Sequence, residues 1–372
     1  MKKGENAMTP RENILRALRR QDPDYVPWGL DLCESLRAKL KEERGADDFY
    51  AYYQLPYRYI GIGPTRLPPQ FDAFYPSGTL PADASIDEWG VGYVPANFAH
   101  FSSMRHPMES FTTSQEVWNF PEPDFLADYR WEGVAQRIQA VKDAGYLAVY
   151  SAVQVFEPAW YLRGLENMLI DLYEENEIGK ACLERICRIQ QAIAAKMAGM
   201  GIDMIVFGDD VGTQKSMMMS KKIWQNQIRF TMERCIAAAK QVNPDVLAYY
   251  HSDGNILDII PDLIEIGVDV LNPVQPECMD PVKIKEMYGN RLSFWGTIGT
   301  QTTMPFGSVK EVEETTRRMI ETVGKGGGLV IAPTHLLEPE VPLENIDAFY
   351  RTVRTYGKYR PSESPEPSRG RT

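Results

Sequence analysis

Two short segments hold residues that could do chemistry together. Tyr249-Tyr250-His251-Ser252-Asp253-Gly254-Asn255 carries an imidazole and a carboxylate two positions apart, and the glycine after them lets the backbone turn. Pro333-Thr334-His335 carries a second imidazole near the end of the sequence. Imidazole and carboxylate are both ligands for zinc, which takes three protein ligands and keeps one position open in catalytic sites. His251, Asp253 and His335 are therefore the candidate metal set. The same side chains could instead orient a substrate directly, without metal. Gly208-Asp209-Asp210 adds two adjacent carboxylates. Successive residues of an extended strand face opposite ways, so one of the two enters a site that the other leaves. Asp209, Asp210 and His251 are the candidate catalytic groups for proton transfer and positioning.

These residues share a site only if the fold brings them together, and the pattern of elements predicts that it does. Thr9, Pro10 and Glu12 read as the capped start of a helix. Tyr25 to Leu30 reads as a short strand. Residues 31–130 are rich in aromatics and prolines, with short strands expected near Tyr59 to Ile62 and Tyr93 to Phe98. From residue 131 onward, short apolar strands alternate with helices. Strands are predicted at Tyr146 to Val153, Asp203 to Phe207, Val246 to Tyr250, Val268 to Leu271, Leu292 to Trp295 and Leu329 to Ala332. Helices are expected at Leu165 to Met200 (broken near Asn176), Lys222 to Val242, Asn255 to Ile266, Pro281 to Met287, Val309 to Val323 and Leu343 to Tyr356. Six strand-to-helix units predict a parallel sheet covered by helices. An eight-stranded TIM-type (β/α)8 barrel with N-terminal helical and loop elaborations is the expected closure, over residues 1–357. An open doubly wound sheet is the alternative. In a barrel the strand C-termini share one face, where catalytic groups are mounted.

That face gathers further candidates. Asn272, Gln275 and Thr297 lie just past two of the strands. Phe156 and Trp160, with Tyr161, could wall a planar or methyl-bearing ligand. Met217, with Met218 and Met219, could line a pocket or simply fill the core. Arg163 reads first as a structural ion pair. Cys278 is the cysteine nearest to this face, and Glu277 stands beside it. The GKGGG run at 324–328 precedes a strand, so it reads as a tight turn rather than a phosphate loop.

Composition narrows the function. The 372 residues carry 51 Asp plus Glu against 40 Lys plus Arg, a formal net charge of −11. Such a balance argues against a general nucleic-acid binder. Hydrophobic residues make up 44% of the chain, as in a globular protein with a large core. The five cysteines form no CxxC pair, which points to a reduced, cytoplasmic setting. No apolar run reaches a membrane span, and the first residues lack the apolar core of a signal peptide. Residues 358–372 are expected to be a disordered tail. An aromatic content of 11% makes a hydrophobic homodimer surface plausible.

Several stretches resemble the uroporphyrinogen decarboxylase superfamily. They run in order as MTPRENILRALRRQDPDYVP, GDDVG, HSDGN, IPDLIEIGVDVLNPVQP, WGTIGTQTTMPFG, GGGLVIAPTH and VPLENIDAFYRTV. The resemblance implies the barrel fold and two kinds of chemistry. True decarboxylases of this superfamily grip substrate carboxylates with an arginine-rich segment resembling WxMRQAGR. The corresponding VPWGLDLCESLRAKL keeps only Arg37. The other branch comprises zinc-dependent methyltransferases served by a corrinoid protein. Its pattern resembles HxC at one strand end and a cysteine at the last. His251 matches the histidine, Asp253 stands at the first cysteine and His335 at the second. A His-Asp-His set is harder than a thiolate site and suits zinc or another metal favouring N and O donors. The resemblance thus implies methyl transfer between a corrinoid-binding partner and a small acceptor such as a thiol or tetrahydrofolate. A cofactor-free decarboxylase or lyase, and a non-catalytic corrinoid or tetrapyrrole binder, are the alternatives.

Overall fold

The computed structural model describes residues 8–67, 71–75, 80–96 and 102–359. Thr9 opens the first helix, Pro10–Leu18, with the capping box expected of it: its hydroxyl accepts from the Glu12 N–H, and the Glu12 carboxylate reaches back. Arg11 on that helix forms two hydrogen bonds to the buried Asp203, at 2.9 and 2.7 Å. This pins the helix beneath the sheet. Strand β1 is Tyr57–Tyr59. Strands β2 (Ser85–Ile86), β3 (Gly92–Pro95) and β4 (Ser102–Arg105) form a separate antiparallel sheet. The strand predicted near Tyr93 belongs there and not to the main sheet.

The parallel rhythm then begins. It comprises β5 (Leu147–Gln154), β6 (Met204–Gly208), β7 (Leu247–His251), β8 (Val270–Asn272), β9 (Ser293–Trp295) and β10 (Leu329–Val330). With β1 they form one seven-stranded sheet in the order β1-β5-β6-β7-β8-β9-β10. All its pairings are parallel, and chain order is spatial order. The sheet curls into an open half-barrel flanked by helices. Its strands are nearly all apolar and buried on both faces, as a helix-covered parallel sheet requires.

The expected closed eight-stranded barrel is corrected to this open form. Tyr25 to Leu30 contributes no strand of its own. This stretch and its continuation pair with the chain past the end of β10 through isolated bridges, Tyr25 with Lys358, Trp28 with Ile331 and Leu32 with Leu337. Toward β1 the connection is a side chain: the Tyr57 hydroxyl donates to the Leu30 carbonyl at 3.0 Å. Pro27, without an N–H, cannot donate to a ladder there.

One predicted helix departs from expectation and another breaks as expected. Lys222 to Val242 divides into Lys221–Gln227 and Arg229–Val242. Leu165 to Met200 breaks where predicted, giving Leu165–Tyr173 and Glu177–Gly199, with Asn176 capping the second. Gly326, Gly327 and Gly328 take positive φ just before β10, the tight turn expected of that run. Lys358 bridges Tyr25 and the Tyr359 hydroxyl donates to the Gly324 carbonyl, while the rest of the tail assigned to 358–372 lies outside the described residues. No described helix is long and apolar enough to cross a membrane.

Candidate active site at the strand ends

Register places the site. Gly208, His251 and Asn272 lie side by side at the ends of β6, β7 and β8. Position 208 is tight: a Cβ there would sit 3.2 Å from the His251 carbonyl and 3.4 Å from its Cβ, so these neighbours would have to give by a few tenths of an ångström. Beyond His251 the chain turns at Gly254, whose φ of +82° is left-handed. That turn brings Asp253 back beside His251, as the sequence spacing suggests.

His251 is held from behind. Its Nδ1 lies 2.5 Å from Asn272 Oδ1, and Asn272 Nδ2 donates to the Trp295 carbonyl at 2.8 Å. The second bond fixes the amide, so Oδ1 accepts and His251 Nδ1 carries the proton. Nε2 is thereby left facing Asp210 Oδ1 at 3.6 Å. Burial pushes the His251 pKa down, but Asp253, Asp210 and the Asn272 bond outweigh it and the net shift is upward. A lone pair aimed at two carboxylates calls for a positive charge between them, whether a proton or a metal.

Asp210, His251 and Asp253 each offer a ligand atom, and these atoms all lie within 4.8 Å of one another. Donors around a four-coordinate zinc are spaced by about 3.4 Å, so modest side-chain rotation closes the set. The Asn272 bond to Nδ1 supplies the outer support that metal-binding histidines carry. The residues therefore fit a divalent cation with N and O donors. Asp210 also accepts the Asp253 N–H at 2.8 Å, which ties the two carboxylates into one unit. Burial raises the Asp253 pKa, against the pull of His251 and His335.

The expected third ligand, His335, stands outside this triad. Its Nε2 lies 3.8 Å from Asp253 Oδ2, so it meets the set only through Asp253. It forms part of the wall between two cavities. One, of about 250 Å³, is lined by Asp31, Tyr57, Tyr59, Tyr249, His251 and Trp295, among others. The second, of about 200 Å³, is lined by Gln214, Asp253, Gln275, Gln301 and Glu338, among others. Among the described residues, neither lining contains Lys or Arg. Arg37 is bound to Asp31 at 2.8 Å and to the Leu32 carbonyl at 2.6 Å.

Asp209 is placed differently from its neighbour. It is fully buried, and its carboxylate accepts the backbone N–H groups of Val155 and Glu157 at 3.0 and 2.9 Å. Burial, reinforced by Glu157, raises its pKa well above the ordinary range. It anchors the start of helix Phe156–Arg163 rather than facing either cavity. Asn272 lines the first cavity and Gln275 the second. Phe156 and Thr297 are fully buried, and Trp160 packs on Tyr161 at 4.2 Å; none of these lines either cavity. Met217 is likewise absent from both linings and bridges Gly212. Arg163 is structural, paired with Asp171 at 2.9 Å. Glu277 accepts from the Thr302 hydroxyl and Cys278 bonds the Gln214 side chain. Of the other histidines, His106 bonds the Tyr161 carbonyl and His100 lies outside the described residues.

Glu157 is the residue the motifs did not single out. It accepts from the Asp210 N–H at 3.2 Å, the Tyr161 hydroxyl at 2.8 Å and the Gln154 amide at 2.5 Å. Burial raises its pKa, and Asp210 adds to the shift. Its signal in the sequence is its place, three residues past β5 and between Phe156 and Trp160.

A methyltransferase from Methanosarcina mazei superposes with a TM-score of 0.67 at 16% identity, covering 94% of this chain and 99% of its own. Xylanase 10B from Thermotoga maritima superposes with a TM-score of 0.40 at 12% identity, covering 61% of this chain and 80% of its own. No curated protein matches the sequence. The model of the family "Uroporphyrinogen decarboxylase (URO-D)" matches residues 109–356, a stretch that contains Asp210, His251, Asp253 and His335. This chain belongs to the uroporphyrinogen decarboxylase family.

Proposed function

We propose that this protein is a methyltransferase that exchanges a methyl group between a corrinoid carried by a partner protein and a small molecule such as a thiol or tetrahydrofolate. The observation that carries the reading is the Asp210–His251–Asp253 cluster, opening beside a cavity whose lining, among the described residues, has no Lys or Arg. A polycarboxylate substrate would need cations to hold it. A metal with N and O donors suits the cluster, and the likeness in fold to a methyltransferase supports the reading.

Asp210, His251 and Asp253 would hold the metal, zinc being the first candidate. When bound, it supplies Lewis-acid activation of the small molecule's nucleophilic atom. The remaining work belongs to the chain. Asn272 keeps the Nδ1 proton on His251 and points Nε2 at the cluster. Glu157 grips the Asp210 N–H and so sets where that carboxylate stands. His335, between the two cavities, orients the small molecule or moves its proton.

The test is methyl transfer from methylcobalamin, followed by the change in its visible spectrum, with metal-loaded protein and a panel of thiols and pterins. His251→Ala and Asp253→Asn are expected to lower the rate by about 100-fold or more. Asn272→Leu should weaken metal binding by about 10- to 100-fold through the lost support of His251. Wild-type protein that is fully metal-loaded and transfers to none of these acceptors would sink the proposal.

A further inference from the structure

Four aromatic rings wall the first cavity. Tyr59, Tyr57, Trp295 and Tyr249 succeed one another, with centroids 5.6, 5.1 and 5.5 Å apart. Successive rings are turned by 76°, 69° and 76°. Rings set edge to face in sequence form corners rather than a flat stack, so they offer π faces in several directions. Burial holds the Tyr57 and Tyr249 phenols above the ordinary tyrosine range, which keeps them neutral. The Tyr57 hydroxyl is committed to Leu30, so its ring is fixed. Asp31 lies on the same wall with its charge met by Arg37 at 2.8 Å, and among the described lining residues only His251 and His335 can become cationic. A divalent metal balancing Asp210 and Asp253 would leave the wall without surplus positive charge.

We infer that this cavity receives a methylated ammonium group, the headgroup of a tertiary or quaternary amine. Such a group has an apolar surface and a diffuse positive charge. It needs no hydrogen-bond acceptor and gains from the negative faces of Trp and Tyr. A volume of about 250 Å³ holds a trimethylammonium with a short tail. The inference concerns binding at this cavity and stands apart from the function proposed above, because a quaternary nitrogen has no lone pair with which to accept a methyl group.

The experiment titrates the full chain with choline and with its neutral isostere 3,3-dimethylbutan-1-ol at pH 8, by calorimetry. Choline is expected to bind saturably and at least about 10-fold more tightly than the isostere. Tyr59, at the cavity rim and 46% exposed, can be changed without emptying the core. Tyr59→Leu should weaken choline by about 3- to 30-fold, while Tyr59→Phe stays within about twofold. Equal affinity for the isostere, no saturable binding of choline, or an unaffected Tyr59→Leu would each overturn the inference. Binding is read without any corrinoid. Choline binding without methyl transfer would therefore defeat only the transferase reading, and transfer to a thiol without choline binding would defeat only this one.

Discussion

Asp209 sends its carboxylate back into the protein to meet two backbone N–H groups, while Asp210, one residue on, turns toward His251. This is the alternation of an extended chain at work, and it separates structural from chemical duty. The roles predict different responses to mutation. Asp209→Ala leaves two buried N–H groups unpaired and is expected to cost about 1–3 kcal/mol of stability. Asp209→Asn keeps an accepting oxygen and should cost clearly less. Urea denaturation of both variants checks this, and equal losses would contradict the anchoring role. The HSD and PTH motifs made His251, Asp253 and His335 legible as candidates. Nothing in the sequence showed that Asp210 would complete the triad and His335 would stand one residue away, because that depends on how three loops lean over the sheet. Glu157 escaped notice because a single acid beside large aromatics carries no motif.

At the scale of elements, the six later strand-helix units were readable because each strand is a short apolar run and each helix repeats its apolar face. The N-terminal part was not, because its segments borrow partners from distant residues. Helices at the periphery show how such borrowing is secured. Asp262 on Ile260–Glu265 meets Lys221 at 2.8 Å and Gln225 at 2.6 Å, both on Lys221–Gln227. Burial pushes the Asp262 pKa up, but bonds from Lys221 and Gln225 and the charges of Lys221 and Arg229 overcome it, leaving it below the ordinary range. A lowered folded pKa means that its contribution is full above the unfolded value, near about 4, and is lost as pH falls through the folded one. The stability gap between wild type and Asp262→Asn should therefore be present at pH 6 and shrink progressively below about pH 4. Denaturant titrations at several pH values test this, and a gap that widens in acid would refute the sign.

For the whole molecule, the open half-barrel places the cluster at one rim, so metal bound there links β6 and β7 through Asp210, His251 and Asp253. Metal at about 100 times its dissociation constant should stabilise the fold by about 2.7 kcal/mol, if the unfolded chain does not bind it. Thermal unfolding should shift upward with zinc and return with a chelator; no shift in wild type, or an equal shift in His251→Ala, would count against the cluster as the site. The net charge of −11 and the missing arginine motif were visible in the sequence alone, and so were the parallel strand-helix order and the family. These properties arise from composition and from periodic burial, which are local to a chain. Tertiary structure decided the rest: that the sheet stays open beside Pro27, which acid turns inward, and which four rings meet around a cavity. Those outcomes depend on contacts between residues far apart in sequence, and no local pattern encodes them.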